Sequence, residues 1–215
     1  MNIAALVSGG VDSSVTVPLL KQMGFDPHIF YIKIGMEDQD SFMDCPSEED
    51  IEITTWIAKK YGCRFDIIDL QEEYWATVVK YTIDTVKKGL TPNPDIMCNL
   101  LIKFGAFNDR YGQEFDKIAT GHYARIEHKA NHALLMRSKD LNKDQTYFLY
   151  TLDEKVLRNT VFPLEEMTKD EVKKIATDLG FGLEKKKESM GICFIGKRKF
   201  SSFIDSYVEP AKGPI

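Results

Sequence analysis

Ile3-Ala4-Ala5-Leu6-Val7-Ser8-Gly9-Gly10-Val11-Asp12-Ser13-Ser14 is the stretch on which the fold of this chain turns. Five apolar residues, Ile3 to Val7, read as a buried strand. A glycine pair follows, and then a segment from Val15 to Met23 that reads as a helix. Glycines let a backbone approach an anion closely, and unbonded N–H groups at a helix start attract phosphate. The hydroxyls of Ser8, Ser13 and Ser14 add donors to the same turn. No Gly-Lys-Ser/Thr follows the glycines, so this is not a Walker A loop.

Outward from that loop, strand and helix patterns alternate. His28–Ile34 and Phe65–Leu70 read as strands, and Glu48–Tyr61 and Tyr74–Lys88 as amphipathic helices, the first with Ile51, Thr54, Thr55 and Ala58 on one face. Two prolines keep Thr91-Pro92-Asn93-Pro94-Asp95 out of a helix interior, and a helix follows through Phe107. Lys117–Thr120 reads as a short strand; Tyr123–His128 and Ala133–Arg137 read as a hairpin. Thr168 to Leu179 is the best-bounded helix: Thr168 caps it, Glu171 completes a capping box and Gly180 ends it. The alternation predicts an α/β fold, a parallel sheet with helices on both faces in a Rossmann-like three-layer arrangement. Ligands of such sheets bind beyond the carboxyl ends of the strands, where the Ser8 loop lies.

The 215 residues, 43% hydrophobic and 28% charged, suit one soluble domain burying roughly 70% of its unfolded surface. No apolar run approaches the ~18 residues of a membrane span, and no basic region precedes an apolar stretch at the N-terminus. Four cysteines (Cys45, Cys63, Cys98, Cys193) do not make a disulfide scaffold in a chain of this length, which predicts a cytoplasmic protein with thiols. Net charge is −5, unevenly spread: eight acids and no Lys or Arg lie between Glu37 and Glu52. Six basic residues (Lys185, Lys186, Lys187, Lys197, Arg198, Lys199) lie against two acids between Glu184 and Lys199. That basic stretch suits either a solvated face or a phosphate backbone.

Two of the cysteines sit in settings that favour thiolate. A helix beginning near Asp95 or Ile96 places Cys98 in its first turn, where the helix dipole lowers a thiol pKa. Cys193, in Gly191-Ile192-Cys193-Phe194-Ile195-Gly196, follows the lysines at 185–187 in a glycine-flanked loop. Cys63 reads as a small residue leading into a strand, and Cys45 lies in the acidic loop. Buried thiols or a structural disulfide remain alternatives for Cys98 and Cys193; no pair of cysteines has metal-ligand spacing, so no metal site is expected.

The Ser8–Ser14 loop resembles the PP-loop of the ATP pyrophosphatases. Further motifs follow in order: Thr91-Pro92-Asn93-Pro94-Asp95 leading to Cys98, Ala119-Thr120-Gly121-His122-Tyr123, Asn142-Lys143-Asp144-Gln145 with Tyr147-Phe148-Leu149, and the Cys193 segment. Together they resemble the tRNA-uridine 2-sulfurtransferases, the tRNA-specific 2-thiouridylases, from the N-terminus to about Tyr207. Members of that family often carry Met where this chain has Ile32, and they continue past this length with a small domain and a β-barrel that grip tRNA. The resemblance thus implies a catalytic domain over 1–205 and the start of a linker over 206–215.

It also implies a chemistry. ATP adenylates the C2 oxygen of the wobble uridine, a persulfide on Cys193 attacks C2, and Cys98 assists release, giving 2-thiouridine, AMP and pyrophosphate. By the family pattern, Leu6, Val7, Ser8, Gly9, Gly10, Val11, Asp12 and Ser13 bind the ATP phosphates, with Ile32 and Gly121 near the nucleotide. Asp12 holds Mg²⁺ or orients phosphate. Asn93, Pro94 and Asp95 meet the target base, and His122, Lys143, Asp144 and Gln145 contact tRNA. The base must leave its stack to reach such a site. A cysteine desulfurase or a sulfur-relay protein supplies the sulfur, and no membrane partner is expected. The loop alone leaves open a PP-loop ligase that forms an amide or amine, or a non-catalytic ATP- and RNA-binding module.

Overall fold

A computed structural model describes residues 1–35, 46–130, 132–183, 186 and 199–209. Five parallel strands form one sheet: β1 (Ile3–Leu6), β2 (His28–Lys33), β3 (Phe65–Asp69), β4 (Lys117–Thr120) and β7 (Thr160–Val161). Their order is β3-β2-β1-β4-β7, with Ala4 beside His28 on one side of β1 and beside Ile118 on the other. The chain winds outward from β1 to β3, then returns to the far side of β1. This reversal puts a switch point between β1 and β4, open at their carboxyl ends. A separate hairpin, β5 (Ala124–His128) and β6 (Ala133–Arg137), follows β4 directly.

Side chains of β1 alternate between two cores, as a strand covered on both faces requires. Ile3, Ala5 and Val7 pack with Val15, Val17 and Leu20 of α1 (Val11–Gln22), Ile57 of α2 (Pro46–Tyr61), and Val172 and Ala176 of α8 (Lys169–Asp178). Ala4 and Leu6 face the other way, onto the remaining helices. On that side run α3 (Gln71–Tyr74), a π-helical stretch Trp75–Val79 and α4 (Lys80–Lys87). Beside them run α5 (Pro94–Cys98), a second π-helical stretch Asn99–Ala106 and α6 (Phe107–Tyr111).

The α/β three-layer reading is therefore borne out. Three local differences bear on the site. Helix α1 starts at Val11 rather than Val15, because Gly10 takes the extended N-cap conformation (φ −77°, ψ 159°) and places Asp12 and Ser13 in the first turn. Helix α5 starts at Pro94, the position where a missing N–H costs nothing, so Cys98 is its fifth residue, just past the first turn, and the chain runs on helically into Asn99–Ala106. The thiol thereby lies further from the unbonded N–H groups than expected. Third, the long helices are interrupted by π-helical stretches, wider turns that recur at functional sites. The capping box of Thr168 and Glu171 forms as expected, with both reciprocal hydrogen bonds present. The sequence pattern did not show β7, α7 (Glu154–Arg158) or α9 (Phe200–Ile204): the two-residue strand is too short to show a period, and each helix is only five residues long.

Candidate active site at the sheet switch point

The Ser8–Ser14 loop folds around the hydroxyl of Ser13. That Oγ accepts from the Ser8 N–H at 3.1 Å, lies 3.1 Å from Ser8 Oγ and donates to the Gly10 carbonyl at 3.1 Å. Gly9 takes φ +71°, and a Cβ there would lie 2.6 Å from the Asp50 Cα of α2. A side chain at Gly9 would thus be excluded both by conformation and by space. Gly121, leaving β4, makes a second close approach: its Cβ would lie 2.8 Å from both N and Cα of Ser13. Ser14 Oγ is fully buried and has no hydrogen-bond partner among the described residues.

Asp12 points from the first turn of α1 into a pair of partners from distant segments. Lys169 Nζ donates to Oδ1 at 2.6 Å and to Oδ2 at 2.8 Å, and Tyr123 OH donates to Oδ1 at 2.9 Å. Lys169 is nearly excluded from water (side chain 8% exposed), whereas Asp12 is 32% exposed. Lys169 also donates its backbone N–H to Asp140 Oδ2 at 2.8 Å. The other Asp140 oxygen accepts the N–H groups of Asn142 and Lys143. The Lys169 N–H, aided by those two, holds the Asp140 carboxyl below the usual range.

From Tyr123 the hydrogen bonds continue. Its N–H donates to the side-chain carbonyl of Gln145 and its own carbonyl accepts the Gln145 N–H, both at 2.9 Å. Asp144 accepts from Arg137 Nε at 2.7 Å and from the N–H and hydroxyl of Thr146. Lys143-Asp144-Gln145 is therefore a fixed turn. Its continuation reaches the Cys98 helix: Asn99 Nδ2 donates to the Phe148 carbonyl at 3.1 Å, and Lys103 Nζ donates to Asn99 Oδ1 at 2.9 Å. At the other end of α5, the Asn93 side chain caps the helix by accepting the Ile96 N–H at 3.2 Å. Cys98 is buried there (7% exposed).

Two titratable groups flank this helix. Loss of water pushes the Asp95 carboxyl up, and the Lys103 ammonium opposes it; Asp95 stays exposed overall, so solvent screens part of both effects. His122 is driven well below the usual imidazole range, first by burial and then by Lys103, so its ring is neutral at pH 7. Its Nδ1 lies 2.8 Å from Thr120 Oγ1.

The structure thus brings the phosphate-type loop, Gly121, His122, Lys143–Gln145 and Asn93–Cys98 into one connected region. Leu6 and Val7 are buried at the end of β1, and Ile32 is half-buried near the carboxyl end of β2. Cys193 and Cys45 lie outside the described residues, as does most of the basic stretch. Cys63 is half-buried, and burial pushes its thiol up, away from thiolate. Sequence reasoning missed Lys169, Asp140 and Lys103. Lys169 carried a signal: it occupies the first position of a capped helix, where the dipole favours acids and a cation needs a partner.

ATP fits the chemistry of this loop. The close backbone turn, the N-terminus of the 12-residue α1 and the orphaned Ser14 hydroxyl are all suited to phosphate oxygens. A protein-held Mg²⁺ does not fit as well, because Lys169 occupies both Asp12 oxygens. Among the described residues, no group of three or more His, Cys, Asp or Glu could hold a metal ion. No helix among them is long and apolar enough to cross a membrane.

A family model described as "tRNA methyl transferase HUP domain" matches residues 1–197. The tRNA-specific 2-thiouridylase MnmA of Parabacteroides distasonis is 54% identical over 215 residues, 100% of this chain and 60% of that protein. Its namesake in Lactiplantibacillus plantarum is 46% identical over 210 residues, 96% of this chain and 56% of that protein. The chain spans about 60% of the length of the curated relatives it matches. Among solved structures, the U34-tRNA thiolase NcsA of Methanococcus maripaludis superposes with a TM-score of 0.52 at 19% identity, covering 96% of this chain and 63% of that one. The NMN synthetase of Francisella tularensis gives 0.52 at 16% identity, with 98% and 79% covered. At those identities the likeness is one of fold.

Proposed function

This chain belongs to the tRNA methyl transferase HUP-domain family, and on that premise we propose that it carries the ATP-using and thiol-bearing part of a tRNA-uridine 2-sulfurtransferase. The observation that carries this reading is the unbroken hydrogen-bonded path from Asp12 through Tyr123 and Gln145 to the turn at Phe148, and from there to Asn99 beside Cys98. It couples a phosphate-type loop to a cysteine-bearing helix, as a reaction that activates with ATP and then moves sulfur requires. The family's description speaks of methyl transfer, but the relatives are named for thiolation, and a thiol is what this site presents.

The C2 carbonyl of uridine is a poor electrophile because both ring nitrogens donate into it. The uridine O2 attacks the α-phosphate of ATP, expelling pyrophosphate and making AMP the future leaving group. Ser8 to Ser14 and the start of α1 hold the phosphates; a Mg²⁺ brought with the nucleotide would neutralise part of their charge. The terminal sulfur of a Cys193 persulfide then attacks C2 and AMP departs, leaving a Cys193–S–S–C2 link. The Cys98 thiolate attacks the Cys193 sulfur, the S–S bond breaks, and 2-thiouridine is released. The two thiols supply two electrons and become a Cys98–Cys193 disulfide, which an external thiol reduces. Asn93, Pro94 and Asp95 meet the extruded base, with His122 and Lys143–Gln145 on the RNA. A cysteine desulfurase or relay protein reloads Cys193, and these partners place the work in the cytoplasm.

The test is single-turnover incubation of the full-length protein, loaded with persulfide, with ATP and tRNA. Formation of 2-thiouridine with equimolar AMP and pyrophosphate supports the proposal. Pyrophosphate release to ammonia or an amine, without sulfur in the RNA, overturns it in favour of a ligase.

A further inference from the structure

Two large aromatic side chains stand in solvent beside the candidate site: Tyr147 is 62% exposed and Tyr150 66%. Both belong to a turn that is fixed at several points. The Phe148 N–H donates to the Gln145 carbonyl at 3.0 Å, the Leu149 N–H to the Thr146 carbonyl at 2.9 Å and the Leu152 N–H to the Leu149 carbonyl at 3.0 Å. Leu149, between the two tyrosines, is fully buried and anchors the turn in the core. Side chains three apart in so tight a turn share a side. The ring centroids of Tyr147 and Tyr150 accordingly lie 6.3 Å apart at 35°, and the Phe148 ring makes a T-shaped contact with Tyr147 at 5.4 Å. The same turn directly follows Lys143–Gln145, and Asn99 Nδ2, from the residue after Cys98, donates to its Phe148 carbonyl.

We propose that Tyr147 and Tyr150 form a stacking platform for the unpaired bases that flank the target uridine in the RNA loop. This rests on the reading of the chain as a uridine thiolase. The fold hardly buries either ring, so core packing does not account for two aromatics on one rigid turn. Unpaired bases present flat apolar faces strung on phosphates. Two adjacent rings meet the faces. Lys143, and Arg137, whose side chain is 60% exposed while bonded to Asp144, bring cations to the same turn for the phosphates. Extrusion supplies the reason for a platform at this place. When the target base leaves its stack, each neighbour loses a stacking face, and an aromatic ring replaces it. Stacking is indifferent to base identity, so the platform holds the loop without restricting which bases flank the uridine.

The experiment uses the full-length protein and two RNA hairpins that carry the target uridine in the loop, one intact and one with abasic sites at both flanking nucleotides. Tyr147→Leu and Tyr150→Leu are compared with Tyr147→Phe, Tyr150→Phe and the wild type, after circular dichroism confirms folding. Fluorescence anisotropy of a labelled hairpin reads Kd. For the intact hairpin, each Leu variant should bind about tenfold more weakly and each Phe variant within about twofold of wild type. The abasic hairpin should bind the wild type more weakly, and the Leu variants should lose nothing further on it. Tyrosine nitration read by mass spectrometry should modify Tyr147 and Tyr150 in the free protein and spare them once the intact hairpin is bound. Unchanged affinity in the Leu variants overturns the proposal, as does an equal loss on both hairpins, which makes the tyrosines backbone contacts. Protection from nitration before RNA is added also overturns it, and makes the turn an interface with the rest of the chain. A wild type that releases pyrophosphate but places no sulfur in tRNA overturns the functional reading instead, and this assignment with it.

Discussion

Lys169 Nζ and Asp12 Oδ1 are 157 residues apart in sequence and 2.6 Å apart in space. The pair joins the first turn of α8 to the first turn of α1, next to the Ser8–Ser14 loop that we propose holds phosphate. Each residue offsets what the other lacks. A lysine at a helix N-terminus opposes the dipole, and a nearly buried ammonium requires a counter-charge. Lys169→Met should therefore leave Asp12 without its counter-charge, with only the Tyr123 hydroxyl still donating to it, and destabilise the protein by about 1–3 kcal/mol, less than a fully buried pair because Asp12 is a third exposed. Urea denaturation checks this. The double variant Asp12→Asn with Lys169→Met should lose less than the two single losses added together.

The two close glycine contacts predict different phenotypes. Gly9→Ala meets both a positive φ and the backbone of Asp50, and should cost about 2 kcal/mol or more of stability. Gly121→Ala has no positive φ to strain it but meets the backbone of Ser13 and Asp12, and should displace the Ser8–Ser14 loop. Its effect falls on nucleotide binding, with an ATP Kd raised about tenfold in calorimetry. Unchanged ATP affinity in Gly121→Ala would remove this residue from the nucleotide site.

The two cysteines separate the chemical steps. Cys193→Ser should accept no persulfide from a desulfurase, as read by mass spectrometry of its peptide. Cys98→Ser should load sulfur normally and then stall, holding RNA covalently on Cys193 through the unreleased disulfide. Product formation should fall about a thousandfold or more in either variant.

Acid sensitivity follows from carboxylates held below their ordinary range. Asp140 is held by the Lys169 N–H first, and Glu171 by the Thr168 N–H and then by Lys139. A carboxyl depressed in the folded state stabilises the protein above the unfolded value near pH 4 and loses that contribution as pH falls through the folded value. The melting temperature should therefore drop between pH 5 and pH 3, and Asp140→Asn should flatten that drop. An identical pH dependence in Asp140→Asn would place the acid transition elsewhere.

Much of this architecture is legible along the chain. The strand–glycine–helix order at Ile3–Ser14, the Thr168 capping box and the Pro-bounded turn before Cys98 are local signals, made by residues within a few positions of one another. Periodicity could not show where α1 begins, because Gly10 sets that start by its backbone conformation and not by an apolar pattern. Nor could it show the π-helical turns. Ile102 and Phe104 are both buried although two apart, a spacing outside the ordinary helical period.

What the sequence determined by itself was the class of fold and the chemical types at the site, since these depend on local geometry: close-turning glycines, hydroxyl donors and thiols near helix ends. What the tertiary structure alone decided was which charges meet. Lys169 reaches Asp12, Gln145 reaches Tyr123 and Asn99 reaches Phe148 only because parallel strand order returns β4 beside β1. No short-range pattern encodes a contact across 157 residues. Such a contact exists because burying an ammonium without a counter-charge costs more than ordering the two segments that bring one to it.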